Sequence, residues 1–162
     1  MSTKGTDAVT FGSPALSDIC HIGFVVPDMT RALTQFAAWG CKVIIPPETD
    51  TLQAANCALL QCPGQVPVEL VAPAESTGNH PLSSRLKRGG GLDHVCIFVD
   101  DVEAEFAAWG ERRAVLVREP SYAVVFDRVI AFVMAPGGLL IELMSRNCLG
   151  HKHRDPLKPI GG

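Results

Sequence analysis

The chain has no excess of basic residues. It contains 14 Lys and Arg against 17 Asp and Glu, which gives a formal net charge of −3 at pH 7. Its cationic clusters are Arg85 to Arg88 and a short tail from His151 to Arg154. Because a nucleic-acid-binding surface needs a broad positive potential, this composition excludes nucleic acid as an expected partner.

Long apolar runs are also absent, although 47% of the residues are hydrophobic. No run reaches the roughly 18 residues that a membrane-spanning helix needs. Residues 1–17 lack the charged-then-apolar pattern of a secretory signal and are rich in Gly, Ser and Thr. We therefore expect a cytoplasmic protein that makes no use of a membrane, with residues 1–17 as a disordered lead-in.

The six cysteines include no Cys-x-x-Cys pair, so a zinc knot is not indicated. Most of them lie in apolar segments. This pattern favours small buried thiols in a reducing compartment over disulfides. The run Gly89 to Gly91 is not a phosphate loop, because no strand-to-helix glycine pattern surrounds it.

What the chain does contain is a repeat. His21 is followed 48 residues later by Glu69, and the same pair recurs 73 residues further on as His94 and Glu142. The surrounding text repeats as well: HIGFVVPD at 21–28 answers HVCIFVDD at 94–101, and FAAWG stands at both 36–40 and 106–110. A duplicated module is the simplest explanation, and the repeated Trp39 and Trp109 are predicted to be core residues at helix ends.

Each half of the repeat predicts the order β-α-β-β-β. We expect one α+β domain over residues 18–146, in which module one (18–73), a joint (74–91) and module two (92–146) form one curved, mostly antiparallel sheet around a metal-binding cup; residues 147–162 form a polar, mobile tail. The predicted strands are 18–26, 41–45, 54–62 and 67–71, then 92–99, 115–118, 122–127 with 128–134, and 139–144; the predicted helices are 28–39, 81–87 and 102–109.

The repeated histidines and glutamates are the candidate metal ligands. Each histidine falls in the first strand of its module and each glutamate in the last. A charge inside an apolar strand is unfavourable unless it is paired or bound to a metal. Two imidazoles and two carboxylates suit one divalent Co, Mn, Ni or Zn ion with open coordination positions. The predicted metal set is His21, Glu69, His94 and Glu142.

The modules resemble the vicinal oxygen chelate superfamily, which includes glyoxalase I, methylmalonyl-CoA epimerase and extradiol dioxygenases. The likeness to methylmalonyl-CoA epimerases rests on VELVAP (68–73), PLSSRLKRGGGLDH (81–94), VDDVEA (99–104) and LLIEL (139–143). It implies the same four metal ligands and gives Glu142 a second role as catalytic base. It also implies a small-molecule substrate, plausibly an acyl thioester, and leaves open a homodimer and an exchange of modules between chains.

The sequence departs from those epimerases at the second acid or base. In them, proton transfer on opposite faces of the substrate is assigned to two carboxylates, one matching Glu142 and the other on the third strand of module one. Here that strand (54–62) contains no acid, and Glu48 and Asp50 lie in the predicted loop before it. Glu69 stands where the epimerases usually place Gln, as in bacterial glyoxalase I. Arg128 is a candidate for holding an anionic substrate group, with a surface salt bridge as its alternative.

These features favour a metal-dependent isomerase or epimerase that enolises a small 2-substituted acyl group carried as a CoA or carrier thioester. The alternatives are a glyoxalase I-like lactoylglutathione lyase and a metal-free small-molecule binding or resistance protein. An oxygenase is disfavoured, because a fourth protein ligand occupies a position that oxygen needs.

Overall fold

The structure, a computed structural model, describes residues 18–64, 66–74, 80–152 and 155–157. The predicted lead-in and parts of the joint and tail therefore lie outside the described residues. The described elements are β1 (Ile19–Val25), α1 (Met29–Ala38), β2 (Lys42–Asp50), β3 (Ala55–Gln61), β4 (Val68–Pro73), α2 (Ser83–Lys87), β5 (Gly91–Val99), α3 (Val102–Glu111), β6 (Val115–Ala123), β7 (Arg128–Met134) and β8 (Leu140–Ser145).

The eight strands form one sheet in the order β2-β3-β4-β1-β5-β8-β7-β6. β1 runs parallel to β4 and β5 parallel to β8, while the other five neighbouring pairs are antiparallel. The first strands of the two modules pair with each other, so the modules join within one chain. The sheet curls into a half-barrel, which confirms the predicted α+β architecture.

Three apolar clusters hold the sheet in this shape. One lines the concave face and draws residues from both modules. The other two lie between the sheet and the helices, with α1 packed on module one and α3 on module two. Asp28 caps α1 by accepting the Arg31 N–H at 2.8 Å, and Asp101 caps α3 by accepting the Ala104 N–H at 2.9 Å. The helix starts thus repeat along with the strands.

No helix in the described part of the chain is long and apolar enough to cross a membrane.

Two strands are longer than predicted. β2 continues through Pro46 and Pro47 to Asp50, although residues 46–50 were expected to be a loop. β2 is an edge strand, where a proline N–H is not required by a neighbour on the open side, and its register with β3 shifts at this point. β6, at the other edge, extends to Ala123, so the separate strand predicted at 122–127 is wrong: residues 124–127 form the turn between β6 and β7.

Two predictions about buried side chains are wrong. Cys41 and Cys62 form a disulfide, because they directly flank the paired residues Lys42 and Gln61 of the β2–β3 ladder; a search for Cys-x-x-Cys spacing does not see such a cross-strand pair. Trp39 is 58% exposed, because α1 ends before it, whereas Trp109 packs on the α3 cluster as expected.

The tail was predicted to be mobile, but its described residues are bound to the sheet. Asp127, fully buried, accepts hydrogen bonds from the Tyr122 hydroxyl (3.0 Å), the Cys148 thiol (3.2 Å) and the Lys152 N–H (3.1 Å). Arg128 forms a two-point ion pair with Asp155 at 2.8 and 2.9 Å. Arg128 is only 3% exposed, so the structure shows a buried internal ion pair in place of both the anion site and the surface salt bridge.

Titration of Tyr122 tests the tail contacts around Asp127. Burial, followed by the hydrogen bond to Asp127, raises the pKa of Tyr122 from 10.0 to about 12. The folded-state pKa is the higher one, so this contact stabilises the fold below pH 10.0 and its contribution is lost as the pH rises through about 12. Tyr122 is the single tyrosine. We expect its ultraviolet tyrosinate absorbance to appear near pH 12, and lower in Asp127→Asn.

The control is circular dichroism on the same samples. A tyrosinate midpoint near pH 10 in protein that is still folded would contradict the Asp127 contact.

Candidate metal centre

The four predicted ligands meet on the concave face of the sheet. They come from β1, β4, β5 and β8, which are the four central, neighbouring strands. One donor atom from each of His21, Glu69, His94 and Glu142 lies within 4.8 Å of all the others. Each of these residues is at most 4% exposed. Residues separated by 121 positions in the sequence are thus brought to one point by the pairing of β1 with β5.

The donor distances fit a shared metal ion. Nε2 of His21 lies 3.3 Å from the Glu69 Oε2 and 3.0 Å from the Glu142 Oε2, and the corresponding distances from Nε2 of His94 are 3.2 and 3.3 Å. With metal–ligand bonds of about 2.0–2.1 Å, neighbouring donors in tetrahedral or octahedral sites lie about 2.9–3.4 Å apart. Four donor atoms at these distances could therefore hold one divalent ion.

The polar contacts alone leave this cluster incompletely satisfied. The two Nε2 atoms face each other at 3.3 Å, where only one of them can donate a proton. Oε2 of Glu142 is buried and has no hydrogen bond of good geometry within the described structure. Lone pairs that converge on one point without satisfying each other are what a cation requires, and this observation favours a metal over a purely structural network.

Neighbouring side chains fix the two imidazole rings. Nδ1 of His94 lies 3.2 Å from Asp93 Oδ2, a contact that leaves Nε2 free to face the cluster. The His94 ring also meets Phe132 edge-on, with ring centres 5.5 Å apart. The His21 ring stacks on Phe126 at 5.2 Å. Sequence reasoning missed these three supports, although Asp93 could have been found as the carboxylate adjacent to a candidate ligand.

Gly23 makes room for His94. It is the β1 residue paired with Glu69 on one side and with His94 on the other. A Cβ atom at Gly23 would overlap the His94 imidazole ring. The equivalent position in module two is Cys96, which pairs with His21. Strand alternation placed Gly23 on the ligand face, but only the structure shows that the missing side chain is required there.

Gly23→Ala should therefore displace His94. We expect metal affinity to fall at least about tenfold, as when the supports of other metal ligands are removed. Isothermal titration with cobalt measures this change. Gly110→Ala is the control, because Gly110 lies in α3 outside the donor cluster and its Cβ would meet the flexible Leu116 side chain at 3.3 Å. Unchanged cobalt affinity in folded Gly23→Ala would contradict the tight packing of His94.

Without a metal, the four groups hold protons in a coupled network. Burial alone would lower the pKa of each histidine, but hydrogen-bonding contacts outweigh it. The pKa of His21 is raised well above 6.5 by contacts with Cys20, Glu142 and Glu69. The pKa of His94 is raised well above 6.5 by contacts with Asp93, Glu142 and Glu69. Burial alone would raise the pKa of Glu69 and Glu142, but both histidines hold these pKa values below 4.5.

These shifts predict a window of maximal stability for the metal-free protein. The raised histidine pKa values stabilise the fold fully below pH 6.5 and cease to do so as the pH rises through the folded-state values. The lowered carboxylate pKa values stabilise it above pH 4.5 and cease to do so as the pH falls. We expect the urea midpoint, measured in chelator, to be highest between pH 4.5 and 6.5.

Metal binding has the opposite dependence. A metal must displace the protons held by the two histidines, so its affinity should increase as the pH rises above 6.5. If the urea midpoint of the chelator-treated protein increased as the pH rises above 6.5, the pairing of the two histidines with Glu69 and Glu142 would be contradicted.

The cluster opens into a cavity of about 540 Å³ whose lining includes Glu69, His94 and Glu142. Cys57 of β3 also lines this cavity, and burial followed by the nearby Glu69 charge raises the pKa of its thiol, which keeps it protonated. A larger cleft of about 950 Å³ lies under the tail; none of the four donor residues is among its described lining. The candidate metal centre therefore opens into the smaller cavity.

The sequence profile of the glyoxalase/bleomycin resistance protein/dioxygenase superfamily matches residues 20–145. The chain belongs to this superfamily. The match spans all eight strands and includes the four converging residues. A comparison with curated proteins gave no match.

Several solved structures share the fold. The methylmalonyl-CoA epimerase of Mycobacterium tuberculosis has a TM-score of 0.69 and 24% identity, over 86% of this chain and 94% of that one. The Streptomyces coelicolor methylmalonyl-CoA epimerase, in a variant bound to 2-nitronate-propionyl-CoA, has a TM-score of 0.69 and 22% identity, over 82% of this chain and 98% of that one. A hypothetical protein of Bacillus halodurans has a TM-score of 0.68 and 22% identity, over 83% of this chain and 97% of that one. At these identities the similarity demonstrates the fold.

Proposed function

We propose that the chain is a metal-dependent enzyme that moves a proton at the carbon next to a carbonyl group, with a small acyl thioester as substrate. The observation that carries this proposal is the convergence of two imidazole nitrogens and two carboxylate oxygens, with nitrogen–oxygen distances of 3.0–3.3 Å, beside a cavity that Glu69, His94 and Glu142 line. The acyl-CoA compounds named for the neighbouring epimerase structures support the substrate class.

In this proposal His21, Glu69, His94 and Glu142 hold one Co, Mn, Ni or Zn ion. When bound, such an ion acts as a Lewis acid that polarises a carbonyl oxygen and stabilises an adjacent enolate. The two neutral imidazoles and two carboxylates give the ligand set a charge of −2, which matches that of a divalent cation. No thiolate is required, so the set favours borderline ions over soft ones.

Glu142 is the proposed base. Its carboxylate is 2% exposed, and a divalent ion held by the four donor residues would keep it ionised at neutral pH. Proton removal by a buried carboxylate is favoured once the substrate excludes water from the cavity. Phe126 and Phe132 line the same cavity and provide an apolar wall that keeps the reacting carbon away from solvent.

The experiment joins metal content with isotope exchange. Protein truncated after Asn147, to remove the tail histidines, would be reloaded with Co, Ni, Zn or Mn and assayed by elemental mass spectrometry. The same preparation would then be incubated with methylmalonyl-CoA and propionyl-CoA in heavy water. The proposal predicts about one ion per chain and deuterium at the acyl carbon 2. Because Asp155 holds Arg128 and Lys152 contacts Asp127, the full-length chain is assayed alongside.

The absence of both metal binding and exchange, in the full-length chain as well, would reject the proposal. Tight binding of a small molecule without turnover would then favour a metal-free binding protein.

A glyoxalase I-like lyase is the second candidate. The observation in its favour is Glu69, whose carboxylate supplies the fourth donor and lies 3.2–3.3 Å from both histidine nitrogens. Such an enzyme acts on the hemithioacetal of methylglyoxal and glutathione, which has an acidic carbon–hydrogen bond next to a carbonyl group. Loss of the hemithioacetal absorbance with formation of a thioester would favour this lyase, and exchange only in acyl thioesters would favour the first candidate.

A further inference from the structure

Three arginines line the cavity between the buried donors and solvent. Arg85 belongs to α2 and Arg88 directly follows it, while Arg118 comes from β6 at the far edge of module two. Arg88 is exposed and the other two are half-buried, whereas the donor residues are at most 4% exposed. The arginines therefore mark the solvent end of the cavity.

The chain does not neutralise these guanidinium groups. Among the described residues, none of the three forms an ion pair with a carboxylate, although Arg112, Arg128 and Arg146 each do. The two carboxylates of the lining that lie outside the donor cluster are already engaged. Asp50 accepts the N–H groups of Leu52, Gln53 and Val124, and Asp93 contacts His94.

Most of the arginine donors also have no partner. One Nη of Arg118 donates a hydrogen bond to the Leu52 carbonyl at 2.7 Å, and one Nη of Arg85 donates to the Leu92 carbonyl. The buried Nε of Arg85 has no hydrogen-bond partner in the described structure. Arg88 makes no side-chain hydrogen bond or ion pair with another described residue. A guanidinium has five N–H donors, and its planar fork matches carboxylate and phosphate oxygens.

The charge distribution sets the orientation of a ligand. The floor of the cavity carries the carboxylates of Glu69 and Glu142, whose charge the proposed divalent ion would neutralise, whereas the rim carries three positive charges. A volume of about 540 Å³ accommodates a small acyl group but not a whole coenzyme A molecule, so the carrier of a thioester must pass over the rim.

We propose that Arg85, Arg88 and Arg118 bind an oxyanion of the substrate, a phosphate or a carboxylate, and so orient its carbonyl end toward the buried donors. This inference rests on the proposed function, because it concerns the substrate of the same cavity. It restricts the substrate class to anionic carbonyl compounds and makes the three arginines specificity-determining residues.

Binding measurements separate the two sources of the oxyanion. Calorimetry compares coenzyme A with pantetheine, its phosphate-free part, and compares methylmalonyl-pantetheine with propionyl-pantetheine, which lacks the second carboxylate. Each pair is titrated into the wild type, the variant R85Q/R88Q/R118Q and the control Arg31→Gln. Arg31 is exposed on α1 and does not line the cavity. The charged member of one pair should bind at least about tenfold more tightly to the wild type and the control, but not to the triple variant.

A preference for coenzyme A that the triple variant loses identifies the anion as phosphate, and a lost preference for the methylmalonyl compound identifies it as carboxylate. Equal binding of the two members of both pairs by the wild type overturns the inference. A preference that survives in the triple variant does so as well. If circular dichroism shows that the triple variant is unfolded, Arg88→Gln replaces it, because this side chain is exposed and makes no described contact.

The readout distinguishes this inference from the proposed function. The metal content of the triple variant should equal that of the wild type, because none of the three arginines is among the donor residues. A wild-type chain that binds the metal and exchanges deuterium but shows no charge preference rejects the arginine role alone.

Discussion

Replacing Glu142 with Gln should reduce deuterium exchange at the substrate carbon at least about 100-fold, the usual contribution of a positioned acid or base. The substitution keeps the size of a side chain that is 2% exposed and keeps one oxygen toward the donor cluster, but it removes the negative charge and the basic site. Glu142→Ala should lose both the exchange and most of the bound metal. Mass spectrometry of the acyl group in heavy water and elemental analysis measure the two effects separately.

Glu119→Gln is the matched control, since this carboxylate is exposed on β6 and outside the donor cluster. It should change neither value. If Glu142→Gln exchanged deuterium at the wild-type rate while keeping its metal, Glu142 would not be the base, and the remaining carboxylate of the cluster, Glu69, would take its place.

The repeat made the centre of the fold predictable. Because His21 and His94 occur 73 residues apart in equivalent strands, and Glu69 and Glu142 do the same, the sequence indicated both the module plan and the four residues that converge. Alternation along β1 placed His21 and Gly23 on one face. The pairing of β1 with β5, which brings the two halves together in one chain, depends on long-range packing and could not be deduced from local patterns.

The edges of the fold were less predictable. Pro46 and Pro47 are usual loop residues, and only the position of β2 at the edge of the sheet explains why a strand contains them. The same applies to Cys41 and Cys62, which become neighbours through the β2–β3 register. Arg128 looked available for an anion, because Asp155, its partner, lies in a polar tail that had no predicted structure.

The concave face of β3 raises a stereochemical question. The side chains of β3 that join the concave cluster are Ala55, Cys57 and Leu59, so no carboxylate of this strand faces the cavity. A single base that removes and returns a proton acts on one face of the substrate and exchanges deuterium without inversion. Inversion requires a second group that protonates the opposite face. We therefore expect the wild-type chain to exchange deuterium into one enantiomer of methylmalonyl-CoA faster than it inverts that enantiomer.

Cys57→Glu should increase inversion relative to exchange by about 10- to 100-fold, because it adds a carboxyl group to the cavity wall formed by β3. Cys57 is the suitable position, since it is 7% exposed, lines the cavity and interacts with Glu69 across the β3–β4 pair. Chiral analysis and mass spectrometry of the same samples give the ratio of the two rates. Cys57→Gln controls for size, because it adds no group that can remove or deliver a proton at neutral pH. If the wild type inverts as fast as it exchanges, a group already present supplies the second proton, and this expectation is wrong. A loss of inversion in Cys57→Gln would then identify that group as the Cys57 thiol, which lines the cavity in its protonated form.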